Sequence, residues 1–408
     1  MRLATRFKIP IWIAVWIVTR ALIVVQVGFW KDAGAEYQDV NTYEGWSNWI
    51  ASTHLMPQEE TWQYPPGAAY LFLIPRLGPL EYKPTFVVLM LIVDLIGFWL
   101  MTVLAGREKR DTGVWIWLLA MPLLFAFPVL RFDLVPTVIA IAALLVIHRR
   151  PTWFGALVGL GASIKVWPVF VLFAEWDRRR LIRSIVAAAV VVAAIFAVSQ
   201  LAFGEQTRFL RNQKDRGLQI ESVAATPWQL RTLVTETPAP LVGRFGTLEI
   251  GSDLADAVAK VLDIAALLVL VGAAWWWWLR DRAIRRGRDD LADEVLARDF
   301  VFTVVLLFMI TSRVFSPQYM IWMVGLAGVV LTAGRTRLSR PAWIVVGSII
   351  LTAGFYQSPA NAVIRNTALV IAAIDACWIL YREVRDDPGQ DKATVPAQAA
   401  SPAPAKST

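Results

Sequence analysis

The chain is 408 residues long, 57% of them hydrophobic, with no polar block of domain size between its apolar runs. A water-soluble two-domain protein is therefore excluded in favour of one integral membrane domain over residues 1–381. The net charge of +8 comes from Lys and Arg in short loops beside apolar runs, which is a topology signal and no nucleic-acid footprint, and the single Cys377 excludes an intramolecular disulfide.

Basic clusters recur at Arg107/Lys109/Arg110, Arg149/Arg150, Arg178/Arg179/Arg180/Arg183, within residues 280–288 and at Arg335/Arg337/Arg340. Positive-inside bias puts each cluster in the cytoplasm, so whatever lies midway between two clusters faces the other side. The expected spans are 9–30, 84–105, 114–128, 134–147, 152–164, 167–176, 183–203, 257–279, 299–312, 318–334, 341–357 and 366–381. This is an all-α polytopic membrane protein of about twelve transmembrane helices, multi-pass in the plasma membrane with both termini cytoplasmic. Its outer loops are 31–83 and 204–256, and the Pro/Ala/Ser-rich residues 382–408 form a disordered cytoplasmic tail. No cleavable signal peptide is expected, since the first apolar run is too long for one. The tryptophan run 275–278, just before Arg280, reads as part of an interfacial aromatic belt.

Several spans are short. A 14-residue helix rises about 21 Å against a hydrocarbon core of about 30 Å. The turns between 114–128 and 134–147 and between 152–164 and 167–176 therefore lie below the outer lipid surface, and they carry Arg131, Asp133 and Lys165. Non-helical backbone at that depth implies a water-filled recess, the outer-face cavity of the fold.

Three outer stretches can carry chemistry. In the first, Asp39, Tyr43, Trp46 and Ile50 share one face if the segment is helical. Asp39 is then either a catalytic carboxylate or an N-cap. In the second, Arg208 with Arg211 and Arg216 with Gln219 form i, i+3 pairs ahead of Glu221, suited to phosphate or sugar hydroxyls or else a solvated basic helix. In the third, Arg313 and Gln318 flank Pro317, where a turn cap is the other reading. Lys165 is suited to a phosphate as a point charge, unless it snorkels to the interface. Arg20, Asp94, Asp263 and Asp375 lie within spans and read as interhelical pairs. His54 falls outside and His148 inside, so the two histidines cannot share a metal. No Asp-x-Asp on the outer face and no Gly-x-x-x-x-Gly-Lys loop points to a metal-dependent nucleotide-sugar or ATP enzyme.

The motifs Asp39-Val-x-x-Tyr43, Tyr64-Pro-Pro-Gly67, Arg131-Phe-Asp133, Gly159-x-x-x-Ser163-Ile-Lys165-Val-Trp-Pro168, Arg216-Gly-Leu-Gln219-Ile-Glu221-Ser222 and Ser316-Pro-Gln318-Tyr319 occur in that order. Together they resemble the actinobacterial members of glycosyltransferase family 87, GT-C-type polyprenyl-phosphate-mannose-dependent mannosyltransferases. The resemblance implies a GT-C fold, an aspartate base in the first outer loop and a lipid-phosphate sugar donor used without metal or cofactor. The expected activity is inverting transfer of mannose to a glycolipid or polysaccharide acceptor on the outer face. Asp39 would be the base; Lys165, Arg131 and Arg216 would hold the donor phosphate; Tyr43, Asp133, Gln219, Glu221, Arg313 and Gln318 would contact substrate. The alternative is a transporter or flippase for a lipid-linked or anionic solute, which needs a polar route through both leaflets.

Overall fold

The computed structural model describes residues 3–29, 38–353 and 358–385. In chain order the first half holds α1 (Leu3–Phe29), α2 (Gln38–Thr53), α3 (Gly67–Leu73), α4 (Tyr82–Glu108), α5 (Thr112–Leu123), α6 (Phe127–Leu130), α7 (Leu134–Val146), α8 (Pro151–Ile164) and α9 (Arg178–Phe203). The second holds α10 (Arg208–Lys214), α11 (Thr226–Thr235), a hairpin of β1 (Leu241–Arg244) and β2 (Thr247–Ile250), α12 (Asp253–Ile284), α13 (Glu294–Thr311), α14 (Met320–Thr332), α15 (Ser339–Ser348), α16 (Ile350–Ala353) and α17 (Pro359–Arg385). Among the described residues five helices, α1, α4, α9, α12 and α17, are long and apolar enough to cross a membrane. Shorter apolar helices pack between them around one large core and a second, aromatic one.

The expected basic clusters gather at one end of this bundle and are tied down there. Lys8 meets Asp111 at 2.7 Å, Arg298 meets Glu108 at 2.6 Å, Arg178 meets Asp281 at 2.8 Å and Arg337 meets Glu383 at 2.6 Å. The ionisable residues inside the spans pair as expected. Arg20 of α1 grips Asp94 of α4 through two bonds of 2.8 and 2.9 Å, with both side chains buried, and its remaining donors reach the carbonyls of Trp117 and Leu118. Asp263 and Asp375 pair with Arg313 and Arg340.

The fold departs from the sequence expectations at identifiable breaks. The run 114–128 is not one helix: α5 carries Pro122 in its last turn, Phe125 takes a left-handed φ of 52°, and the single turn of α6 follows. Over 167–176 the chain forms a 3-10 helix, Trp167–Ala174, opened by Pro168. The span expected at 341–357 breaks between α15 and α16, and 354–357 lie outside the described residues. The polar loop 204–256 is not purely helical. Its hairpin closes through Phe245 and Gly246, both at positive φ, so the all-α description is qualified here. Residues 382–385 continue α17 rather than opening a disordered tail; 386–408 lie outside the described residues. In the tryptophan run, Trp275 and Trp278 are exposed, but Trp276 and Trp277 turn inward and donate to the carbonyls of Leu380 and Glu175. The belt is thus only half of that run's role.

One close approach sets the depth of the cavity. α8 crosses α9 at Gly155 and Gly159, where a Cβ would overlap the backbone carbonyls of Ser184 and Ala188. Small residues four apart let two membrane helices meet backbone to backbone. α8 then ends at Ile164, and Lys165 is carried on its C-terminus. Gly159→Leu should push α8 off α9, destabilise the bundle by about 1–3 kcal/mol and displace Lys165. A wild-type melting temperature in detergent would contradict this.

Candidate active site

At the end of the bundle opposite the basic clusters lies a cavity of about 1250 Å³. It is walled by α2, the loop before α3, the α8 terminus, α10, the hairpin, and the facing ends of α12 and α13. Nine expected site residues line it: Asp39, Tyr43, Arg131, Lys165, Arg216, Gln219, Glu221, Arg313 and Gln318. Asp133 does not; it is fully buried directly behind Lys165.

α2 is the helix expected from its periodicity. Tyr43, Trp46 and Ile50 are 2%, 3% and 1% exposed, so the face they share is the buried one. Tyr43 stacks on Phe72 at 4.5 Å, and Trp46 meets Trp62 edge-on at 5.1 Å. This anchor aims the N-terminal turn at the cavity, and Asp39 sits within that turn. The positive end of the helix dipole favours a carboxylate there. Asp39 forms an ion pair with Arg131 and keeps about a third of its side-chain surface open (34%), against 10% for Arg131. Burial first, and Asp39 second, push the phenols of Tyr43 and Tyr64 above the ordinary tyrosine range. Both hydroxyls therefore stay protonated at neutral pH.

Lys165 does not snorkel. Its ammonium donates to Asp133 at 2.6 Å and lies 4.7–5.8 Å from the ring centres of Tyr64, Phe132, Tyr319 and Trp322. Trp322 also donates to Asp133, at 2.7 Å. The cation is caged on its aromatic sides and reaches the cavity through what remains.

The far wall comes from the loop between α9 and α12 and the turn between α13 and α14, and the expected residues there carry structural partners. Arg216 donates to Glu249 at 2.9 Å, to Thr247 at 2.7 Å and to Gln63, while Gly217 donates to the other Glu249 oxygen. The guanidinium thus binds the hairpin to the loop ahead of α3. Arg313 is held by Asp263 at 2.6 and 2.7 Å and donates to the carbonyls of Lys214 and Arg216. Gln219 reaches Ser316 at 3.4 Å, and its buried side-chain oxygen has no protein partner. Glu221 pairs with Arg365 of α17 at 2.9 Å. Gln318 lies on the cavity wall in the turn that opens α14.

Sequence reasoning missed Gln63, Glu249, Asp263 as the partner of Arg313, Trp322 and Arg365. Arg365 carried a signal as a cation beside a long apolar run, and Asp263 as a charge within a span, though not its pairing; the others are ordinary loop and helix residues until the fold brings them in. Among the described residues, no three His, Cys, Asp or Glu side chains assemble as a metal-binding set.

Bundle and cavity define an integral membrane protein with a site lined by charged, polar and aromatic side chains at one end of its helices. The family model described as glycosyltransferase family 87 matches residues 62–297, more than half the chain. The chain belongs to glycosyltransferase family 87, and its activity is that of a glycosyltransferase rather than a transporter. The match takes in Arg131, Asp133, Lys165, Arg216, Gln219 and Glu221; Asp39, Tyr43, Arg313 and Gln318 lie outside it. No curated protein and no solved structure gives a match.

Arg216→Ala should leave Glu249 buried without its cation and free the hairpin, at a cost of about 3–5 kcal/mol. Limited proteolysis would then cut at Phe245-Gly246. A hairpin as resistant as in the wild type would show that the bridge is dispensable.

Proposed function

We propose that the protein is an inverting, metal-independent mannosyltransferase of GT-C type, with about twelve crossings and both termini cytoplasmic. It takes mannose from a polyprenyl-phosphate donor and passes it to a glycolipid or polysaccharide on the outer face of the plasma membrane. The observation that carries this reading is the meeting of Asp39, Arg131 and Lys165, from three distant segments, at one cavity. The family assignment supports sugar transfer itself.

Asp39 takes the proton of an acceptor hydroxyl as its oxygen attacks the anomeric carbon. The bond from that carbon to the phosphate oxygen breaks, and polyprenyl phosphate leaves with the bonding pair. A phosphate monoester is already a good leaving group, so Lys165 and Arg131 suffice to stabilise its growing charge. Arg131 starts on Asp39, so an incoming phosphate that draws it away also uncovers the base. Arg216 adds positive potential from its bridge to Glu249, while Tyr43, Gln219, Glu221, Arg313 and Gln318 surround the sugars and Asp133 holds Lys165.

Asp39→Asn should lower transfer at least about a hundredfold while donor affinity stays near that of the wild type; retained turnover removes Asp39 as base. Lys165→Ala should act mainly on donor affinity, and an unchanged donor KM with labelled polyprenyl-phosphate mannose would remove the lysine from the phosphate site. EDTA should leave the rate unaltered, and loss of activity with recovery on adding a divalent ion would overturn the metal-independent mechanism.

A further inference from the structure

α17 lies beyond the matched residues 62–297, yet it grips the cavity wall with a charged side chain that is 1% exposed. Arg365 donates through Nη1 to the Glu221 carboxylate at 2.9 Å and through Nη2 to the Glu221 carbonyl at 2.8 Å. It is oriented by Asn366, whose Oδ1 accepts at 3.1 and 2.9 Å, and its guanidinium lies 4.5 Å from the Phe315 ring centre. Asn366 in turn donates to the Ser222 carbonyl at 3.2 Å and to Thr226 at 3.0 Å.

A brace between α17 and this loop needs only neutral bonds, and Asn366 already supplies two. A buried guanidinium is costly, and here it is set against the one carboxylate of the segment that lines the cavity. Uncompensated, that carboxylate would repel a phosphorylated substrate. Paired through one oxygen, the Glu221 carboxylate is compensated by the guanidinium and offers its other oxygen to neutral hydroxyls as a charge-assisted acceptor.

We propose that Arg365 is a positioning residue that holds Glu221 as a hydroxyl-recognition point for a sugar substrate, which makes α17 part of the active site. This rests on the reading of Glu221 as a carbohydrate contact, but not on the identity of the donor.

The test compares Arg365→Gln, Arg365→Lys, Glu221→Gln and the double variant Glu221→Gln/Arg365→Gln in the full chain, with labelled polyprenyl-phosphate mannose and a total envelope glycolipid extract. Each glutamine variant should raise KM for a sugar substrate about tenfold with kcat within about twofold, and the double variant should be no worse than the stronger single one. Arg365→Lys should recover part of the loss. Unchanged KM values for both substrates, or additive effects, would overturn the proposal. If Arg365→Gln fails to accumulate, Glu221→Gln, which keeps the side-chain shape, decides it by the same KM criterion. A second arm needs no donor: in Cys377→Ala/Ile220→Cys protein the extract should slow maleimide labelling, and Arg365→Gln should abolish that protection. Protection that is absent, or that survives Arg365→Gln, sinks the proposal. A wild type that transfers nothing from this donor counts against the donor assignment, and the labelling arm then decides the role of Arg365.

Discussion

An ammonium carried on the end of a short helix has to be neutralised where it stands, and the contact of Lys165 with Asp133 does this. The cavity depends on it. Asp133 precedes α7 and Lys165 follows α8, so their pairing ties together the open ends of two short helices. Trp322 of α14 binds the same carboxylate, which brings a third helix to the point where charge is concentrated. Of the four aromatic rings around the ammonium, Tyr64 packs on Phe132 and Tyr319 stacks on Trp322, so the cage is held by its own contacts as well.

The same rule extends around the cavity. Arg131 faces Asp39, Arg216 faces Glu249, Arg313 faces Asp263 and Arg365 faces Glu221. Coupled this way, the walls bring many charges to a low-dielectric bundle with little net field, and on the proposed mechanism a phosphate would act by rearranging pairs rather than by meeting bare cations. The two pairs nearest the aromatic cage differ in kind. Asp133 is sealed, so Lys165 can share its charge but hardly leave. Asp39 is a third open, so its pairing with Arg131 stands at the cavity surface.

What was legible in the sequence follows from which signals are local. The apolar period of α2, the shortness of α7 and α8 and the basic clusters are properties of neighbouring residues, and the fold keeps them. The breaks at Phe125 and at Trp167–Ala174 were hidden because apolar composition runs through them; only Pro122 and Pro168 marked the places. Among the site residues, Lys165 and Asp133 stood out as charges in apolar surroundings. Asp263 stood out likewise as a charge within a span, though its pairing did not; Glu249 did not, because a carboxylate in a polar loop has no distinguishing context until a guanidinium is folded against it. Arg216 and Arg313 were recognisable as cations of the outer loop, but their carboxylate partners lie 33 and 50 residues away along the chain.

The ion pair between Glu221 and Arg365 also bears on biogenesis. The chain is made from its N-terminus, so the loop bearing Glu221 exists before α12 to α15 and α17, and 144 residues separate it from its partner. Until α17 arrives, that carboxylate has no cation and the wall no clasp. The clasp between loop and helix can therefore close only after the last described helix has been made.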